Sequence, residues 1–288
     1  MDHGSMMKRI DEMCGEYPFL SLTSLGESIL GRSIPLLSVG EGEKTVIYVG
    51  THRGDEQMIA EVLIRFAEDL CKLFHVGGRL FGIDIKTLLS IRSICVVPML
   101  NPDGVEYNQN GISEENPLCE RVISMNGKSD DLSRWFSNAR GVDLNKNYLC
   151  DKDLRDSSSL KKGFVCCEGG MGEWKESEPE VGALCNYLRY NENIKLGISL
   201  HTSEKRDFLY MNKNLDLFNR LSSKAGSLFK FPIASDLSDS EASYGLSDWC
   251  CYEREMPSVS VMMDDRGRDS YFIYNKIKSA LFNLPLVV

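Results

Sequence analysis

Apolar residues along the 288-residue chain fall into two kinds of run, short β-branched stretches and longer stretches at helical spacing, and the two kinds alternate. Lys44–Gly50 is a β-branched run closed by glycine, and Ile91–Pro98 is a second, followed by the turn signal Asn101-Pro102-Asp103-Gly104. Between them Ile59, Val62, Leu63, Phe66, Leu70 and Leu73 recur at helical spacing, which predicts a helix over Glu56–Leu73 packed on a sheet. The three together make a β-α-β unit. Ser177-Glu178-Pro179-Glu180 opens a second predicted helix running to Tyr190, with Ser177 as its cap, proline in the first turn and acids where the helix dipole favours them. Ile194–His201 predicts a third strand, with His201 at the carboxyl end, the edge where open α/β sheets gather their ligands. A strand over Arg206–Met211, a helix over Leu215–Phe229, a short helix over Asp248–Glu253, a strand over Pro257–Met263 and a helix over Asp269–Phe282 complete the pattern. Polar Asn108–Ser133 reads as a long surface loop of the kind that frames sites. A single compact α/β domain over residues 1–288 is the expected architecture.

With 42% apolar and 26% charged residues, the composition is that of an ordinary folded protein and excludes a disordered tail or a small disulfide knot. The formal charge of −9 argues against nucleic acid or an anionic membrane as partner, because both need a basic face to displace counterions. Ten cysteines without a C-x-x-C pair read as reduced thiols rather than as a disulfide frame or a zinc-thiolate site. No secretory leader pattern and no run of membrane-spanning length is present, so the cytoplasm is the expected compartment. Met1–Ser5 reads as a cloning scar, which sets His3 aside. Three further histidines remain for any imidazole chemistry: His52, His75 and His201.

His52 and His201 each end a predicted strand, and Glu56 follows His52 by four residues. Two imidazoles, a carboxylate and one position left for water are the donors of a catalytic zinc. A hydrogen-bonded histidine at a strand end explains either imidazole equally well. What moves the balance is the order of the surrounding pieces: Leu30–Gly40, Gly50-Thr-His-Arg-Gly-Asp-Glu56, Asn101–Gly104, Gly141-Val-Asp-Leu-Asn-Lys-Asn147, Ser177–Glu180, Ser199-Leu-His201, Asp248-Trp249 and Pro257-Ser258. In this order they resemble the zinc carboxypeptidase (M14) family over nearly the full length.

The resemblance implies a single α/β domain with a mixed, twisted, roughly eight-stranded sheet flanked by helices, and one zinc ion at the carboxyl edge. It gives metal-ligand roles to Glu56 and His201, with His52 as the third ligand, and a grip on the substrate's terminal carboxylate to Asn145 and Lys146. It gives the cover over the bound residue to Tyr244, and the floor of the specificity pocket to Ser247. The expected partner is a peptide or a small substrate ending in a carboxylate.

Three positions depart from that pattern. The family spacing is His-x-x-Glu, whereas here it is His-x-x-x-Glu, so three arrangements stay open: His52 reaches the metal through a longer loop, Asp55 replaces Glu56, or Arg53 takes the first ligand's place and fills the site with charge. The family's general-base glutamate falls on Met262, which cannot take a proton from water; Asp264 lies on the same strand face roughly 6.6 Å further on. Lys146 stands where arginine would give a two-bond fork, and Trp135-Phe136 stand where a second cation is expected, for which Arg134 or Arg140 compensates. Three functions follow: a zinc-dependent carboxypeptidase-like hydrolase with weakened catalysis and a base improvised from Asp264, a degenerate peptidase fold binding carboxylate ends through Lys146, Arg140 and Arg53, or a zinc deacylase for small metabolites.

Overall fold

The computed structural model describes residues 1–148, 170–212, 217–234 and 245–288. Nine helices and ten strands are named among them. The helices are α1 (His3–Glu16), α2 (Gln57–Val76), α3 (Ile85–Ile91), α4 (Pro102–Asn110), α5 (Cys119–Met125), α6 (Pro179–Tyr190), α7 (Leu217–Phe229), α8 (Leu246–Arg254) and α9 (Ser270–Asn283). The strands are β1 (Ser21–Glu27), β2 (Ser33–Val39), β3 (Lys44–Gly50), β4 (Arg79–Leu80), β5 (Ile83–Asp84), β6 (Arg92–Val97), β7 (Ile194–Ser203), β8 (Phe208–Tyr210), β9 (Ile233–Ala234) and β10 (Ser258–Asp264).

Eight strands form one mixed sheet in the order β1-β2-β6-β3-β7-β10-β8-β9, and β4 with β5 forms a separate hairpin. The centre, β6-β3-β7-β10, is parallel, while β1, β2 and β8 join antiparallel. Central parallel strands are covered on both faces, which is why they read as continuous apolar runs. Along β3, Val46 and Tyr48 enter the core under α1, α2, α7 and α9, while Ile47 and Val49 pack with α6 and α8 on the other face. Tyr48 Oη donates to Leu281 O of α9 at 2.6 Å, tying that helix to the sheet.

The eight-stranded α/β architecture is as expected, and several local readings need correction. Asn101–Gly104 is the start of α4 and not a free turn: Asn101 caps the helix and Pro102 occupies its first position, the same residue types a turn would use. The stretch read as one loop, Asn108–Ser133, contains α5. Helix α6 is capped by Glu178 with no side-chain bond, because Ser177 Oγ is turned to Glu178 Oε1 instead. Strand β7 runs two residues past His201. The Met1–Ser5 segment is joined to the fold: Asp2 caps α1, and His3 Nε2 lies 2.8 Å from Ser33 O.

Candidate active site

The parallel strands β3 and β7 bring their carboxyl ends side by side, and the chain leaving β3 carries His52 and Glu56. Thr51, between Gly50 and His52, adopts a left-handed backbone at φ 54°, rare for a β-branched residue. It is held there on two sides, its Oγ1 donating to Glu56 O at 3.2 Å and Pro98 O at 3.1 Å, while its carbonyl accepts from Asn101 N at 3.0 Å. Asn101 Nδ2 also donates to His52 O at 3.0 Å. Gly54 then passes so close to the next loop that a Cβ would stand 2.4 Å from Gly104 O, a contact only glycine allows.

This turn decides which residue points inward. His52 is fully buried, its ring centroid 4.9 Å from that of His201, and its Nε2 lies 3.0 Å from Tyr148 Oη. Arg53 points the other way, forming two bonds to Asp55, at 2.9 and 2.6 Å, and stacking over Phe136 at 4.7 Å. Of the three arrangements left open, then, neither Arg53 nor Asp55 enters the histidine pair. Glu56, fully buried, does: Oε1 is 3.4 Å from His201 Nδ1 and accepts from Thr202 N at 3.1 Å, while Oε2 accepts from Arg53 N at 3.2 Å.

The electrostatics of the three residues follow from burial and from each other. Burial and the neighbouring His201 push His52 down to about 3, so its imidazole is neutral at physiological pH. Burial alone would raise Glu56, but His201, Arg53 and His52 outweigh it and hold the carboxyl below its ordinary value. A carboxylate beside a neutral imidazole is the protonation state that zinc coordination needs. His52 Nδ1 is buried without a hydrogen-bond partner, an orphan of the kind a metal would satisfy. In donor type the residues fit zinc; in closure they do not, since among the described residues no three His, Cys, Asp or Glu side chains are placed to hold one ion.

Met262 is paired in register with His201, and its side chain is buried. Asp264 lies two residues further along β10, opposite Ser203, where Arg266 Nε at 3.0 Å and Arg268 Nη1 at 3.6 Å engage its carboxylate. Arg266 lowers it to about 2, which makes Asp264 a poor proton acceptor. Asn145 and Lys146 sit on a single 3-10 turn capped by Asp143, with Lys146 Nζ 4.0 Å from Asp143 Oδ2. Arg140 is bonded to buried Glu178 at 3.1 Å. Ser247 is buried in a hydroxyl chain with Ser260 at 2.8 Å, which also accepts from Ser199. Tyr244 lies outside the described residues, and His75 packs between Tyr17 and Phe19. Sequence reasoning missed Tyr148 and Asn101 as supports of His52; Tyr148 directly follows the Gly141–Asn147 motif, which was the available signal.

The sequence profile of the zinc carboxypeptidase family matches residues 6–277. This chain belongs to that family. Zinc carboxypeptidases and their kin are hydrolases. Among curated relatives, the γ-D-glutamyl-L-diamino acid endopeptidase 1 of Lysinibacillus sphaericus is 28% identical over 201 residues, 70% of this chain and 50% of that protein. The chain thus spans half of that relative's length. Bovine thrombin-activatable fibrinolysis inhibitor, solved with a tick carboxypeptidase inhibitor, superposes with a TM-score of 0.73 at 18% identity, covering 100% of this chain and 95% of that one. The murein-tripeptide amidase MpaA of Escherichia coli O157 superposes at a TM-score of 0.53 with 19% identity, covering 93% and 91%. Both structural likenesses confirm the zinc carboxypeptidase fold.

Proposed function

We propose that the chain is a zinc-dependent hydrolase of the M14 type, acting beside a free carboxylate at the end of a peptide and turning over slowly. Peptides of the bacterial cell wall are the favoured substrate class, because one relative is named for cleaving γ-D-glutamyl-L-diamino acid bonds and a structural neighbour is a murein-tripeptide amidase. The observation that carries the reading is the buried His52, Glu56 and His201 grouping, with ionised Glu56 3.4 Å from His201 and His52 Nδ1 left without a partner. In donor type these three residues suit zinc, but as placed they do not close on one ion, so the metal reading requires their side chains to converge when the ion binds. Thr51, Asn101 and Tyr148 orient His52, and the Thr202 and Arg53 amides hold Glu56. Asn145 and Lys146 would receive the substrate carboxylate, with Ser247 at the floor of its side-chain pocket. The free thiols among the described cysteines support a reducing compartment such as the cytoplasm.

Slow turnover is proposed because Met262 falls where the resemblance puts the general base and Asp264 is tied to arginines. The same observation favours a second reading, a peptidase fold that binds carboxylate ends without hydrolysing them. Elemental analysis of chain purified without chelator and supplied with zinc separates the two. The hydrolase should carry about one zinc per chain; less than about a tenth of that refutes it, and leaves the binding reading, tested by calorimetry with a carboxylate-ended tripeptide.

A further inference from the structure

A second cavity lies at the opposite edge of the sheet. Its volume is about 450 Å³, within the range of small-molecule pockets. It opens between the amino ends of β3, β7 and β10: Lys44 and Ile194 are the first residues of their strands, and Met256-Pro257 lead into β10. The length of β7 separates it from His201, roughly 23 Å at strand rise. Four basic side chains line it, Lys44, Lys195, Arg220 and Arg254, against the acidic side chains of Glu192 and Glu255 and the carboxylate of Val288. In a chain whose formal charge is −9, this is a local reversal of sign.

Arg254 is the centre of that reversal. It ends α8, and the chain beyond it turns through Glu255 in a left-handed backbone at φ 47°. Its Nη1 is buried without a hydrogen-bond partner. An N–H out of water and without an acceptor is costly; Arg254 is only half-buried, and where its guanidinium meets the cavity a carboxylate or phosphate can be held by a planar two-bond fork. The wall beside it is apolar, from Ile194, Leu221, Met256 and Val287.

We propose that this cavity is a binding site for a small organic anion, a carboxylate or phosphate head on an apolar body, with the head on Arg254 and the cationic rim and the body against the apolar wall. The site is independent of the hydrolytic reading, since it shares no residue with the histidine pair. Titration calorimetry on the full chain with inorganic phosphate, hexanoate and hexyl phosphate tests it. A hexyl anion should bind one to one with a sub-millimolar Kd and at least tenfold tighter than inorganic phosphate, and the better of the two heads identifies the ligand's source. Arg254→Gln should weaken binding at least tenfold, and so should Lys44→Gln with Arg220→Gln if the first variant does not fold; His201→Ala should leave it unchanged. No saturable binding to about 10 mM, or loss with His201→Ala and not with the arginine variants, overturns the proposal.

Discussion

Replacing Met262 by glutamate tests whether the missing base limits this site. Met262 is 6% exposed and paired in register with His201 across the parallel β10-β7 ladder. A glutamate there places its carboxylate on the face of the sheet that carries His201, at a distance from Glu56 of roughly 6 Å. At an effective dielectric of about 20, the repulsion between the two carboxylates is about 3 kcal/mol, or about two pKa units. In the metal-free chain that would lift the new group from about 4.3 to about 6, whereas the double positive charge of a bound zinc would offset the repulsion and keep it ionised, able to accept a proton from water near neutral pH. A positioned general base is worth roughly 10²–10⁴ in rate. The Met262→Glu variant, zinc-loaded, should therefore hydrolyse a blocked peptide ending in a free carboxylate at least about 100-fold faster than the parent. The assay is kcat/KM across pH 5–9, alongside zinc content and melting temperature. A variant that holds zinc and folds, yet gains no rate, refutes Met262 as the missing base; a parent that holds no zinc refutes the metal reading before this one.

Three other outcomes follow from particular contacts. His52→Ala should lower zinc retention by tenfold or more while Arg53→Ala leaves it unchanged, by elemental analysis after dialysis; the opposite ranking would return Arg53 to the site. Gly54→Ala should lower stability by about 1–3 kcal/mol in urea titration, because its Cβ meets Gly104 O at 2.4 Å; no change would mean that the loop holding His52 gives way freely. Glu180 is fully buried, its Oε1 has no partner, and burial together with Asp103 and Glu178 raises it to about 8. Its folded pKa lies above the unfolded value, so its contribution is complete below about pH 4.5 and is lost as pH rises through 8, with a bound of roughly 5 kcal/mol. Urea titrations of Glu180→Gln at pH 5 and pH 9 should show a smaller fall in stability than the parent, and equal falls would refute this.

Most of the sheet was legible because its central strands are buried on both faces and its helices carry one apolar stripe. Lys44–Gly50 matched β3 to the residue, and the helix read over Glu56–Leu73 is α2 extended by one turn. Where two structures share one signal, the sequence could not choose: Asn-Pro-Asp-Gly suits a turn and a capped helix start alike, and only the Asn101 Oδ1 bond to Gly104 N decides. Helix α1 was hidden because its buried residues, Met6, Ile10 and Met13, form only a thin stripe in a polar segment. The closeness of Glu56 to His201 was readable from motif order and strand position. The direction of Arg53 was not, since it depends on a φ of 54° at Thr51 and on Asp55 and Phe136, and no spacing rule encodes either.

The two departures from the family pattern differ in what they cost the fold, and the difference bears on function. Immediately before the longer His-x-x-x-Glu stretch, Thr51 holds a left-handed backbone, a strain of about 1–3 kcal/mol. To it is added a buried imidazole whose Nδ1 has no partner. An apolar residue in place of His52 would remove the second cost, and a glycine in place of Thr51 the first, though glycine would also lose the two bonds of Thr51 Oγ1. Strain and an orphaned donor that converge on one histidine, beside a carboxylate already ionised for a cation, are the signature of a position shaped by a ligand. Met262 carries no such mark: it is an unstrained, buried apolar residue on a regular strand. The histidine side of the pair therefore carries a local cost that the methionine side does not, and zinc content together with the rate of Met262→Glu decides whether a bound ion offsets it.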